Sequence, residues 1–293
     1  MRYSSSVAIA TLVAYASAHG VVTSIEGANG VSMPGLTVAD GTPRDCSSNG
    51  CGSQADTAII RDDEISSGET GPLGRTQGNG PVKAETMIAN FMGSGTAPEN
   101  SGADSSVGVE DDIQMKKRGK KNVARQLLAG LFGGGDDAGT KQDLPDESSV
   151  ASTNGAGAES GMPTCSDDGE VTMTFRQINQ DGAGPLEAAV DGTSGGTDPD
   201  AFQDAEVMED VPGLGFGGLS LATNTDFPVK VQMPAGMTCD ATVAGVDEVC
   251  VVRVRNSAAA GPFGGSAAFT MSTDARKRAI AYRMKKRQEI ARN

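Results

Sequence analysis

Apolar and polar positions alternate along five short stretches of this chain, and each alternation predicts a half-buried β-strand. The first sets Val21, Thr23 and Ile25 against Val22, Ser24 and Glu26 and stops at the turn Gly27-Ala28-Asn29-Gly30. The other four lie in the second half. Val171, Met173 and Phe175 interleave with Thr172, Thr174 and Arg176, and Phe227, Val229, Val231 and Met233 interleave with Lys230 and Gln232. Cys250, Val252 and Val254 then alternate with Val251, Arg253 and Arg255, and Ala267, Phe269 and Met271 form the last. Turn-rich segments such as Asn179-Gln180-Asp181-Gly182-Ala183-Gly184-Pro185 and Pro234-Ala235-Gly236 separate them. Short strands with Gly/Pro turns predict a mainly β fold, a sandwich with long loops.

Two segments carry helical rather than strand spacing. Within about 111–132, Val123, Leu127 and Leu131 recur at i, i+4, i+8 with Leu128 beside them, and Gly133-Gly134-Gly135 ends the run. Docking on its own domain is the commoner fate of such a stripe than a membrane or a partner. Asp274 to Arg292 reads as a highly charged helix capped by Ser272 or Thr273, with a thin stripe of Ile280 and Met284. Residues 31–80 are rich in Gly, Ser and Asp, with Ala58-Ile59-Ile60 the one candidate for a short strand or helical turn. Gly213-Leu214-Gly215-Phe216-Gly217-Gly218 lacks the strand before and helix after that a phosphate-binding loop requires, and reads as loop. The expected organisation is a signal peptide at 1–18, a first part of the β domain at 19–92, and a flexible insert with one amphipathic helix at 93–160. The second part of the β domain then spans 161–272 and a basic helical tail 273–293.

Composition narrows this picture. The chain has 40 glycines and no Trp, and two of its three tyrosines, Tyr3 and Tyr15, precede residue 19, so the aromatic area available for a core is small. The formal charge of −14 is uneven: residues 276–293 hold eight basic side chains against Glu289, and residues 115–125 hold six against none. An acidic body with two basic segments satisfies itself internally more readily than it binds nucleic acid. Lys117-Arg118, Lys277-Arg278 and Lys286-Arg287 also have the form of dibasic processing sites, although such pairs are common by chance.

The N-terminus brings in the chemistry. Arg2, the apolar run 7–14 and the small residues of Ala16-Ser17-Ala18 make a secretory signal whose removal leaves His19, the chain's only histidine, at the mature terminus. The apolar run is shorter than the roughly 20 residues that cross a bilayer, so no transmembrane segment is expected. A terminal histidine offers its α-amine and a ring nitrogen to one ion, a pair that suits copper(II); equally, any residue can follow a cleavage site. In an oxidising compartment most of Cys46, Cys51, Cys165, Cys239 and Cys250 should be paired, with one left over. Short local loops suggest Cys46 with Cys51 and Cys239 with Cys250, while spacing leaves the connectivity open.

Together these segments resemble a fungal family of secreted, infection-associated proteins, the Egh16-like virulence factors, also called appressorium-specific or MAS/GAS-type proteins. The likeness is carried by HGVVTSIEGANG at 19–30, TAIIRDDEISSG and GPLGRT between 57 and 76, VTMTFRQINQDGAGP at 171–185, TDFPVKVQMPAGMTC at 225–239 and VRVRNSAAAGPFGGS at 252–266. It implies an extracellular role at the fungal surface during host penetration, with a host or fungal surface component as partner and no established catalysis. The N-terminal histidine and β-rich middle also resemble the copper-dependent lytic polysaccharide monooxygenases, so the sandwich is expected to be immunoglobulin-like or monooxygenase-like. The family pattern puts a second histidine where this chain has Arg176, and cysteines where it has Leu73, Ala188, Val254 and Ser266.

The leading expectation is a secreted, non-enzymatic surface or effector-like protein without a cofactor. The alternative is a copper-dependent monooxygenase-like protein using His19. A Ser-His-Asp or Cys-His hydrolase is discounted, because the sole histidine is the first mature residue. Paired-carboxylate glycosidase chemistry is neither supported nor excluded by 38 scattered acids.

Overall fold

In the computed structural model, which describes residues 19–47, 52–96, 98, 140–141, 145–180, 182–215 and 217–292, the predicted strands join one antiparallel sheet. Its strands are β1 (Gly20–Glu26), β2 (Ser32–Pro34), β3 (Ala58–Ile59), β4 (Arg75–Thr76), β5 (Gly80–Pro81), β6 (Thr140–Lys141) and β7 (Glu170–Gln177). They continue with β8 (Glu187–Asp191), β9 (Phe202–Glu209), β10 (Thr225–Gln232), β11 (Ala241–Val243), β12 (Val246–Arg255) and β13 (Phe263–Thr270). The helices are α1 (Asp62–Ser66), α2 (Ala84–Phe91), α3 (Ser149–Ser152), α4 (Ala156–Ser160) and α5 (Thr273–Ile290).

The strand order is β2-β1-β7-β10-β9-β8-β12-β13-β3-β4-β5, with β11 beside β12 and β6 beside β10. The sheet curls through the β9–β8 junction until β1 packs on β13, which gives the two-layered character expected of a sandwich. Gly265 of β13 permits the approach, since a Cβ there would overlap the Val22 backbone. Between the layers the predicted apolar alternation becomes cross-strand pairing: Phe175 with Phe227, Met173 with Val229 and Val171 with Val231. Across the other half, Val252 faces Val190 and Ala267, and Cys250 faces Phe269. These residues are all buried in one continuous core.

Strands β8 and β9 escaped the periodicity. Glu187-Ala-Ala-Val-Asp191 contrasts too little in hydrophobicity, and β9 exposes both faces in part, so neither has an apolar stripe. Of the segment expected as an insert, residues 145–160 fold onto the body. The Asp40 carboxylate accepts the N–H groups of Val150 (3.0 Å) and Ala151 (2.8 Å) at the start of α3, and Val150 enters the core. Asp40 and Gly41 donate their own N–H groups to the carbonyls of Pro98 (3.1 Å) and Glu147 (2.8 Å), so adjacent residues hold both ends of the 99–144 stretch. The amphipathic helix expected within 111–132 lies outside the described residues. The charged C-terminal helix is present as α5, its first turn capped by Ser272 Oγ accepting from the Ala275 N–H at 3.1 Å.

Candidate functional site

His19 lies at the open end of the sandwich, immediately before β1. Its side chain is 1% exposed. Backbone pairing carries β1 against β7 one step past the ladder, where Ile178 donates its N–H to the His19 carbonyl at 3.0 Å. The turn after β7 then folds back: Gly182 donates to the Asn179 carbonyl at 3.0 Å and lies so close to the His19 carbonyl that a Cβ would collide with it. This turn aims the Asn179 side chain at His19. The His19 backbone N–H donates to Asn179 Oδ1 at 2.9 Å, while Asn179 Nδ2 lies 3.2 Å from His19 Nδ1. Because the amide nitrogen only donates, Nδ1 accepts and the ring proton of a neutral imidazole sits on Nε2. The other wall is Phe263, whose ring centroid is 4.6 Å from that of His19 with the planes tilted by 35°. Asn256 Oδ1 in turn accepts from the Phe263 N–H at 3.0 Å.

The two nitrogens that would grip a metal therefore face one side-chain amide. The backbone nitrogen meets the amide oxygen and Nδ1 meets the amide nitrogen, so Asn179 stands across both. No group of three or more His, Cys, Asp or Glu side chains placed to hold a metal occurs among the described residues.

Arg176 stands on β7 opposite Val21, two residues along β1 from His19. It is 1% exposed, and its guanidinium reaches toward β10. Nη1 donates to Asp226 Oδ1 at 3.0 Å and Nη2 to the Arg44 carbonyl at 2.6 Å. Arg44 extends the network, binding Asp56 through both terminal nitrogens (3.0 and 2.5 Å) and Glu147 Oε2 through Nε (3.0 Å) and Nη2 (2.8 Å). Burial works to lower the Arg44 pKa, but Asp56 and Glu147 outweigh it and hold the guanidinium above its ordinary value. Burial also works to raise Glu147, yet Arg44 and the Ser149 N–H and hydroxyl keep its carboxyl below the usual range. At Asp226 burial wins over Arg176, and the carboxyl is pushed up. The arrangement is a strut joining the 37–57 loop, the 145–150 segment and the sheet.

Beside His19, the glycine-rich segment read as loop closes the same end of the sheet. Ala183 donates to the Gly218 carbonyl at 2.8 Å, Ser220 to the Gln180 carbonyl at 2.6 Å, and Gln177 Nε2 to Ser220 Oγ at 2.6 Å. Leu214 and Leu221, in and just after this segment, are 40% and 49% exposed. Sequence reasoning singled out His19 and Arg176 but missed Asn179, Phe263, Asp226 and Arg44. The one available signal was the Asn-Gln-Asp-Gly turn; its target lies 160 residues away in sequence.

Cys239 and Cys250 are bonded, with Cα atoms 4.9 Å apart across the β11–β12 hairpin. Cys46 is disulfide-bonded, Cys165 is a buried free thiol, and Cys51 lies outside the described residues. Leu73, Ala188, Val254 and Ser266 are all buried, and Ala188 and Val254 are register partners on β8 and β12. No helix among the described residues is long and apolar enough to cross a membrane.

A family model described as Egh16-like virulence factor matches residues 17–264. The appressoria-specific virulence factor GAS2 of Pyricularia oryzae is 50% identical over 289 residues, covering 98% of this chain and 96% of that protein. The appressoria-specific virulence factor GAS1 of the same fungus is 36% identical over 139 residues, 45% of this chain and 54% of that protein.

Proposed function

This chain belongs to the Egh16-like virulence factor family, and on that premise we propose that it is exported and acts without catalysis at the fungal surface during host penetration. The family match over 17–264, together with a relative named for appressoria and virulence at 50% identity, carries the reading. The matched region begins two residues before His19, which supports a mature chain starting there. Cleavage would convert the His19 N–H into an α-ammonium, and its hydrogen bond to Asn179 Oδ1 would become charge-assisted. A terminal residue buried in this way anchors β1. The partner is a host or fungal surface component, met through the loop-rich end where Leu214 and Leu221 are exposed.

The copper reading has one favourable observation, that His19 N and Nδ1 both face the Asn179 amide, N toward Oδ1 and Nδ1 toward Nδ2. The donor set does not fit a histidine brace. Three nitrogens are needed, two of them imidazole, and the chain has one histidine. Arg176 offers no lone pair, because guanidinium stays protonated. Exposed aromatic rings suited to a flat polysaccharide are also scarce, Tyr282 on the basic helix being the one tyrosine after residue 18.

The test combines localisation and chemistry. Protein recovered outside the fungus should begin at His19, and a deletion strain should regain penetration with the wild-type gene. Copper titration of the processed protein, followed by assays on chitin and cellulose with a reductant, should yield no oxidised oligosaccharides. Tight one-to-one copper binding with such products would replace this reading by the enzymatic one.

A further inference from the structure

Helix α5 is docked on the body from its start as far as Arg283. Ala275 and Ala279 are buried against the body, and Arg276 donates to the Cys239 carbonyl at 3.2 Å and pairs with Glu248 at 3.0 Å. Arg278 pairs with Asp168, and Arg283 donates to Thr238 Oγ1 at 3.0 Å. Beyond Arg283 the contacts change in kind. Every described residue from 284 to 292 is exposed, Met284 at 58% and Ile290 at 68%, and none of them makes a hydrogen bond or ion pair outside the helix among the described residues. The apolar side chains of this end are scattered around the axis, so no face waits for the core.

From this contrast we infer that Lys286-Arg287 is a proteolytic maturation site, cut after Arg287 by a serine endoprotease specific for Lys-Arg pairs. Docking shields Lys277-Arg278 from the same enzyme. An endoprotease binds its substrate extended, over about four residues on either side of the scissile bond. For Arg287 that window is 284–291, all of it exposed and beyond the last hydrogen bond or ion pair to the body, with only the Lys286 side chain lining the cleft beside Thr238 and Gly236. Unwinding it costs only the fraying of a helix end. For Arg278 the window runs through Ala275 and Ala279, so the whole docked part must leave the body first. The third pair, Lys117-Arg118, lies outside the described residues.

In the reaction one water adds across the Arg287–Gln288 peptide bond. The C–N bond breaks, Arg287 keeps the water oxygen in a new carboxylate, and Gln288 departs with a free amine. Glu289 leaves with the released segment, so the retained helix carries seven basic side chains between 276 and 287 and no acid there.

In the cell this rests on the export reading above, so the test has two arms. Purified full chain is incubated with a trace of a Lys-Arg-specific serine endoprotease and followed by intact mass. Loss of residues 288 onward should outpace cleavage after Arg278 by roughly tenfold or more, since cleavage follows the population of the opened segment. Arg287→Ala should abolish the fast product, and Ala279→Glu, which undocks the first part, should release cleavage after Arg278. Equal rates at the two pairs, or a chain that stays intact beyond Arg287, would overturn the inference. Protein recovered from fungal culture should end at Arg287 or be trimmed inward from it, and recovery with the C-terminus uncut would also overturn it. Failure of export alone would show as retention of residues 1–18, leaving the added-protease result unchanged.

Discussion

Replacing Arg176 by Leu tests whether the buried guanidinium is a structural strut. The substitution removes charge-assisted hydrogen bonds to Asp226 Oδ1 (3.0 Å) and to the Arg44 carbonyl (2.6 Å), each contributing about 1.5–3 kcal/mol. The Asp226 side chain remains 20% exposed, so water can reach part of the orphaned carboxylate, and the loss should fall near the lower end of the range for a broken buried pair, about 3 kcal/mol. With a urea slope of about 2 kcal/mol per molar, the unfolding midpoint at pH 7 should drop by about 1.5 M. The pH dependence has a definite sign. Burial already holds the Asp226 carboxyl above its ordinary value of 3.8, with Arg176 pulling it back. A carboxyl raised on folding binds its proton more tightly in the folded state, so its ionisation costs stability as pH rises through the window above 3.8. Removing the guanidinium raises that carboxyl further. The deficit of Arg176→Leu should therefore shrink as the pH is lowered toward the carboxylate range, and Arg176→Leu/Asp226→Leu should recover at least about 1 kcal/mol at pH 7. A midpoint shift below about 0.3 M, a deficit that grows in acid, or a double variant no better than the single would refute the argument.

Glu147→Gln probes the other carboxylate of this network with the opposite sign. Its carboxyl is held below 4.5, so it stabilises the fold above that pH and loses the contribution as pH falls through the folded value; the gap between wild type and variant at neutral pH should close in acid, read from urea midpoints. Replacing Cys239 and Cys250 by Ala opens a loop of sequence separation 11 and should cost about 2–3 kcal/mol, read from urea midpoints of the oxidised proteins. Ala188→Cys/Val254→Cys should form a disulfide on oxidation, because register partners on adjacent antiparallel strands sit about 4.5–5.5 Å apart, within disulfide reach. Failure to form it, seen by thiol counting on the folded protein, would contradict the β8–β12 register.

The alternating stretches beginning at Val21, Val171, Phe227, Cys250 and Ala267 were legible as strands because each has one face in the core, and a two-residue period is the direct imprint of that burial. The helix at 273–290 was legible for a related reason: a capping Ser272 and an unbroken run of good helix formers are local signals. The family was legible too, in short motifs spread along the chain. Strands β8 and β9 were not, since small or two-sidedly exposed residues leave no periodic contrast. The sequence could single out His19 and Arg176 as chemically unusual but not say what they touch. Their partners Asn179, Phe263, Asp226 and the Arg44 carbonyl come from other strands and loops, as far as 244 residues away for Phe263. Such pairings depend on strand order and on the curl that brings β13 onto β1, and a one-dimensional pattern carries neither. Tertiary structure alone decided that the imidazole faces an amide, that the guanidinium is locked into a buried network, and that the basic helix is docked at one end and bare at the other.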